Sequence, residues 1–210
     1  MINKPTIYTD PQFERFPLAP LFDYPKPNDM CGWYYFEKAF SDDDIKRVEE
    51  MVSSIPFEAA RIENGLSEEY RKSSLKWITP FDSNLWLYEK LMDLIQTANI
   101  AMWNFDLHSV RDNIQYTEYR GEEKGFYDWH LDIGSNQLST RKISITVQLS
   151  DPSEYEGGNL ELKPGEDAHH PSKTKGTVVV FPSYLLHRVT PVTKGLRKSL
   201  VLWSGGSSYK

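Results

Sequence analysis

Cysteine is nearly absent from this chain of 210 residues: Cys31 stands alone. That excludes an internal disulfide framework and any zinc site built on several thiolates. Long apolar runs are missing too. None approaches the roughly 18 residues a membrane span needs, which argues against an integral membrane protein. The first residues, MINKPTIYTDPQFERF, contain no continuous apolar segment of the secretory kind, so a cytoplasmic location is expected. Basic residues are outnumbered, 24 against 30 acidic ones, for a formal net charge of -6, and a generic grip on nucleic-acid backbone is disfavoured. What the chain has in quantity is large side chains. With 39% hydrophobic and 13% aromatic residues it is too apolar for disorder and suits one globular domain.

Proline is unevenly spread. Pro5, Pro11, Pro17, Pro20, Pro25 and Pro27 all fall near the start, so residues 1–30 are expected to form an extended arm, and residues 31–210 a single domain. Trp33 to Phe36 should be a short aromatic strand. Ser41-Asp42-Asp43-Asp44 supplies an N-cap and an acidic first turn for a helix whose stripe is Ile45, Val48, Val52 and Ile55, stopped by Pro56. A second helix should start after Pro80, capped by Asp82 or Ser83, and bury Leu87, Leu91, Leu94, Ile95 and Ala98. Helical support is thus expected over about 41–105. Further on, the period becomes two: Ile143, Ile145, Val147 and Leu149 alternate with Ser144, Thr146 and Gln148. Short strands are also expected at 114–119, 129–133, 160–162, 177–181, 188–192 and 199–203, separated by Gly and Pro turns. Many short, evenly spaced strands over about 110–205 predict a β-sandwich or barrel behind a helical layer, an α+β arrangement.

The segment with most chemistry is Tyr127-Asp128-Trp129-His130-Leu131-Asp132. In a strand, His130 and Asp132 would share a face, and a later strand and turn could return His187 to the same point. Two imidazoles and a carboxylate on one face of an octahedron leave three positions open, as non-haem Fe(II) oxygenases require. On the last strand, alternation puts Arg197, Ser199, Val201 and Trp203 on one face, where a guanidinium helped by the Ser199 hydroxyl could hold a carboxylate. Trp129 and Trp203 are read as packing residues, His169-His170 as a solvated loop, and Gly157-Gly158 as a turn with close backbone approach.

In order and spacing, His130-x-Asp132, His187 and Arg197 resemble the 2-oxoglutarate- and Fe(II)-dependent dioxygenases. The prolyl-4-hydroxylase-like, PKHD-type branch is the nearer likeness. It rests on Tyr-Asp-Trp-His-Leu-Asp at 127–132, Arg-Lys-Ile-Ser at 141–144, Tyr-Glu-Gly-Gly-Asn-Leu at 155–160, Phe-Pro-Ser at 181–183, His-Arg-Val-Thr-Pro-Val at 187–192 and Gly195-Leu196-Arg197. The likeness is strong over about 114–203, weaker over about 33–105, and does not extend to residues 1–30. It implies a double-stranded β-helix, or jelly-roll, core with an N-terminal helical support layer. It also implies Fe(II) on His130, Asp132 and His187, and 2-oxoglutarate on Arg197 with help from Tyr119. Tyr127 would lie near the substrate. Dioxygen would be the second cosubstrate and ascorbate an optional reductant.

The activity implied is hydroxylation of a C–H bond with release of succinate and CO2, on a peptide or protein substrate with a prolyl side chain as first choice, or on a small molecule. Two competing readings use the same scaffold. A nucleic-acid base dealkylase would usually place an arginine six residues after Arg197, where this chain has Trp203. A cupin-like, non-catalytic binding sandwich would need neither an open metal face nor the arginine.

Overall fold

The computed structural model describes residues 30–59, 69–110, 112–207 and 209. The proline-rich stretch that the sequence marks as an arm lies outside them, apart from Met30. The chain enters through β1 (Tyr34–Phe36) and α1 (Asp42–Ser53). Next come β2 (Glu58–Ala59), β3 (Arg71–Lys72), β4 (Ser74–Ile78) and α2 (Leu85–Met102). Then follow β5 (Leu107–Val110), β6 (Ile114–Arg120), β7 (Phe126–His130), β8 (Arg141–Gln148), β9 (Tyr155–Gly157) and β10 (Leu160–Lys163). The last three strands are β11 (Val178–Pro182), β12 (Leu186–Val189) and β13 (Val192–Gly206).

Helix α1 begins as its sequence requires. The Ser41 hydroxyl accepts from the Asp44 N–H at 3.1 Å, and the Asp44 carboxylate accepts from the Ser41 N–H at 2.9 Å, so two otherwise unpaired donors are satisfied reciprocally. Helix α2 starts later than expected. Asp82–Asn84 form a 3-10 turn, and the residue that fixes the entry is Asn84, whose Oδ1 accepts from the Phe81 N–H and whose Nδ2 donates to the Thr79 carbonyl.

The strands form two antiparallel sheets. The larger runs β1-β11-β8-β13-β6-β4-β2, with β5 and β9 also paired to β13; the smaller runs β10-β12-β7-β3. This is the jelly-roll core that the resemblance implies. Period two sorts the larger sheet into two faces. Ile143, Ile145, Val147, Leu200 and Leu202 point at the helices and are fully buried with Val48, Leu87, Leu91 and Ile95. Each such aliphatic side chain contributes about 1.5–3 kcal/mol relative to leaving it in water. The opposite face, with Ser144, Thr146, Ser199, Val201 and Trp203, looks toward the smaller sheet across a cavity.

Between the two helices the sequence suggested support structure only. There the chain also makes β2, β3 and β4, which extend both sheets. Their alternation is obscured because Lys76 is buried in β4, its Nζ donating to the Val52 carbonyl at 2.7 Å while its charge sits over the Phe57 ring. Long aliphatic stems let a lysine do this.

Candidate metal centre

The strand read from the sequence as 129–133 is in fact β7, which ends at His130. Asp132 lies beyond the strand, so it does not reach His130 by strand alternation alone. It is pinned from outside: its N–H donates to the Ser183 carbonyl at 2.9 Å, and its own carbonyl accepts from Arg141 Nη1 at 3.2 Å. Leu131, between the two, turns out to solvent. His187 sits on β12 directly opposite His130 in the antiparallel ladder.

The three side chains converge. His130 Nε2 is 3.8 Å from Asp132 Oδ1, His187 Nε2 is 3.4 Å from Asp132 Oδ2, and the candidate ligand atoms all lie within 4.8 Å of one another. Both histidines turn Nδ1 to a backbone carbonyl, His130 to Asp128 at 2.7 Å and His187 to Leu185 at 2.8 Å. A carbonyl only accepts, so each Nδ1 carries a proton and each Nε2 is the ring nitrogen turned to the centre, the orientation a metal ligand needs. Burial, reinforced by the His187 imidazole, pushes the His130 pKa well below the ordinary value and keeps that ring neutral. Burial alone would raise the Asp132 pKa, but His187, His130, the Ser144 hydroxyl and Arg141 together lower it, so the carboxylate is ionised.

Two serines complete the support. Ser144 Oγ donates to Asp132 Oδ2 at 2.6 Å, and Ser183 Oγ lies 3.0 Å from Ser144 Oγ. Both occur in motifs noted in the sequence, yet their role was not legible there, because it depends on β8 and the turn after β11 meeting in space.

A cavity of about 780 Å³ opens over this centre. Tyr127 forms part of its wall, stacked on His130 with ring centroids 3.5 Å apart. Trp203 also lines it, with the Arg141 guanidinium 3.9 Å above its ring, so this indole is cavity wall as well as packing. Tyr119, Arg197 and Ser199 line another part of the cavity. Arg197 is 3% exposed; its Nη1 reaches Ser199 Oγ only at 3.4 Å, its Nε has no hydrogen-bond partner, and its guanidinium carbon stands 5.3 Å from the Tyr119 ring centroid. No carboxylate among the described residues lies within ion-pair distance of it. Tyr155, missed in the sequence, borders the guanidinium and is itself held by Gln148 Nε2 at 2.7 Å.

The Gly157-Gly158 turn is a close approach, as expected. Both residues have positive φ, and a Cβ on Gly158 would stand 2.8 Å from Val192 Cγ2 and 2.9 Å from Arg197 Cδ. A side chain here would displace the arginine. Of the remaining histidines, His169 joins a bridge with Leu162 and faces the Trp33 ring, and His170 lies 3.5 Å from Glu161; neither is near the centre.

The donor set and the arginine therefore fit a divalent metal of the Fe(II) type together with a dianionic chelator. Imidazole nitrogen and carboxylate oxygen suit Fe(II), their one-sided arrangement leaves coordination positions free, and a buried guanidinium without a counter-ion fits the far carboxylate of 2-oxoglutarate.

Known proteins similar to this chain share its motifs or its fold. The model of the 2OG-Fe(II) oxygenase superfamily matches residues 114–205, which hold all four residues just described. Solved prolyl hydroxylases share the fold: one from Trichoplax adhaerens, in complex with a hypoxia inducible factor peptide fragment, superposes with a TM-score of 0.70 at 18% identity, covering 84% of each chain. A Pseudomonas putida prolyl-4-hydroxylase gives 0.65 at 22% identity over 84% of this chain and 94% of the other. More particularly, the sequence relatives are of the PKHD type. A PKHD-type hydroxylase of Teredinibacter turnerae is 42% identical over 84 residues, 38% of this chain and 37% of the relative. One from a Synechococcus is 31% identical over 124 residues, 56% and 54% of the two chains. The alignments to these two thus span well under two thirds of the relatives' lengths. YbiX of Escherichia coli aligns more widely, at 26% identity over 81% of this chain and 76% of its own. The resemblance carried by the motifs is thereby borne out over the jelly-roll core.

Proposed function

We propose that this chain is an Fe(II)- and 2-oxoglutarate-dependent dioxygenase that hydroxylates a C–H bond, with a peptidyl prolyl side chain as the preferred target. The observation that carries the reading is the meeting of two imidazole Nε2 atoms and one ionised carboxylate in a cavity that also holds a buried arginine with no counter-charge among the described residues. When bound, Fe(II) and 2-oxoglutarate supply the oxidising power, with dioxygen consumed and succinate and CO2 released.

The chain's residues would provide orientation and a dry pocket. His130, Asp132 and His187 hold the metal from one side, and the two backbone carbonyls behind the imidazoles keep their ligating nitrogens aimed. Ser144 occupies one oxygen of Asp132 and restrains the carboxylate from rotating. Arg197 and Ser199 take the far carboxylate of 2-oxoglutarate, and Tyr119 closes that end. Tyr127, stacked on His130, shields the metal side of the pocket where a substrate would lie. The preference for a peptide rests on the prolyl hydroxylase and PKHD-type likeness.

The test is direct. Anaerobic protein with Fe(II) and 2-oxoglutarate should develop a weak visible charge-transfer band. In air it should then form succinate, and candidate prolyl peptides should gain 16 Da. Asp132→Ala should lose both the band and succinate formation; full turnover in that variant would refute the assignment.

A further inference from the structure

Arg197 is not the only buried guanidinium facing the cavity without a counter-charge among the described residues. Arg71, on the two-residue strand β3 at the edge of the smaller sheet, is 7% exposed and lines the same cavity. Its Nε donates to Ser73 Oγ at 2.9 Å, but its Nη2 is buried with no hydrogen-bond partner, and no carboxylate among the described residues lies within ion-pair distance of it. Its guanidinium carbon stands 4.4 Å from the centroid of the Tyr127 ring, which stacks on the His130 imidazole at 3.5 Å and meets Tyr70 edge-on. Guanidinium, phenol and the His130 imidazole thus form a short stack, and the charge lines the cavity one aromatic ring away from a candidate metal ligand.

The third arginine in the wall behaves differently. Arg141 is neutralised by Asp112, Nε to Oδ2 at 3.0 Å, and covers Trp203. A charge removed from water needs a partner, and hydrogen bonds to a charged group are stronger than neutral ones. In the functional reading above, the far carboxylate of 2-oxoglutarate answers Arg197. Nothing in that reading answers Arg71.

We propose that Arg71 is a substrate-recognition residue that pairs with a carboxylate of the primary substrate, so the preferred substrate is an acid: a peptide ending at the target residue, or one with an acidic side chain next to it. This rests on the oxygenase reading for the identity of the site, but not for the charge preference itself. The fork of the guanidinium suits a carboxylate in two-point contact, and its place beside Tyr127 sets the acid close to the carbon to be hydroxylated.

The experiment is equilibrium binding by calorimetry under argon, with protein carrying Fe(II) and 2-oxoglutarate so that Arg197 is occupied. The probes are two matched pairs differing only in charge: N-acetyl-proline against its amide, and acetyl-Pro-Asp-amide against acetyl-Pro-Asn-amide. Wild type should bind the acid of at least one pair roughly tenfold or more tightly than its neutral partner. Which pair discriminates tells a terminal carboxylate from a side chain. Arg71→Gln should erase the difference while leaving the 2-oxoglutarate charge-transfer band in place, and Arg71→Lys should restore part of it. Equal binding of acid and neutral probes by wild type, or no binding of any probe, overturns the proposal without any variant having to fold. Discrimination that survives in Arg71→Gln overturns it as well. Should the band itself fail to form, the oxygenase reading falls. The same titrations on metal-free Arg197→Gln protein then still decide whether Arg71 selects acids.

Discussion

The two sheets that face each other across the cavity are built on different terms. The larger is backed by α1 and α2, and its helix-facing side chains are fully buried aliphatics. The smaller has four short strands, and its outer side carries Glu161, Arg188 and Trp129, with Arg188 both paired to Glu161 at 2.6 Å and stacked on the indole. Yet the smaller sheet bears both histidines, whereas the larger bears Arg197, Ser199 and Ser144. On the proposed reading, the site joins a firmly packed wall that would hold the anion to a lighter one that would hold the metal. Asp132, on neither sheet, is held by Ser144 and Arg141 of the larger sheet and by Ser183 in the turn after β11.

If stability lives mainly in the helix-backed wall, Ile145→Ala should cost about 2–5 kcal/mol, the usual range for emptying a fully buried aliphatic site, and Arg188→Ala on the other wall less than about 1 kcal/mol. Comparable losses in chemical denaturation would remove the contrast. If the anion end is a rigid socket, Arg197→Gln should raise the KM for 2-oxoglutarate by roughly 10–100-fold with Fe(II) affinity nearly unchanged, as befits loss of one charged hydrogen-bonding group. A fall in metal affinity of the same size would mean that the two ends are not separable. Ser144→Ala tests the hold of the larger wall on Asp132. Fe(II) binding should weaken by about 10–100-fold, as for other residues that orient a ligand, and Ser144→Thr should recover much of it.

The smallest effect concerns the support layer. The Lys90 and Ser41 contacts overcome the opposing effect of burial and lower the Asp44 pKa below its ordinary 3.8. A lowered folded value means that the unfolded chain takes up the proton first. The contribution is therefore complete above the ordinary pKa and is lost as the pH falls through the folded value. Asp44→Asn should flatten the acid limb of the stability curve and leave Fe(II) binding unchanged.

Most of the larger sheet and both helices were legible because their patterns are clean. The Ile143–Leu149 alternation and the Ser41 cap each have one interpretation. The meeting of His130, Asp132 and His187 was legible as an ordered set, although the reason first given for His130 and Asp132, a shared strand face, is not how they meet. The residues that hold Asp132 could not be read, since Ser144 and Ser183 are 39 positions apart and an isolated serine has no characteristic spacing. Arg71 escaped for a related reason: a two-residue strand has no period. Trp203 was placed on the correct face by alternation and undervalued only because a tryptophan in a strand is usually packing.

Strand β13 pairs with β8 on one side and β6 on the other, and also with β5 and β9. During synthesis, the strands on either side are made well before the one that belongs between them. Until residues 192–206 have emerged, β6 and β8 present unsatisfied edges, and the helices can cover only an incomplete sheet. Folding is therefore deferred to a late docking event between segments far apart in the chain, a topology associated with slow folding and a longer window for chaperone capture or misassembly.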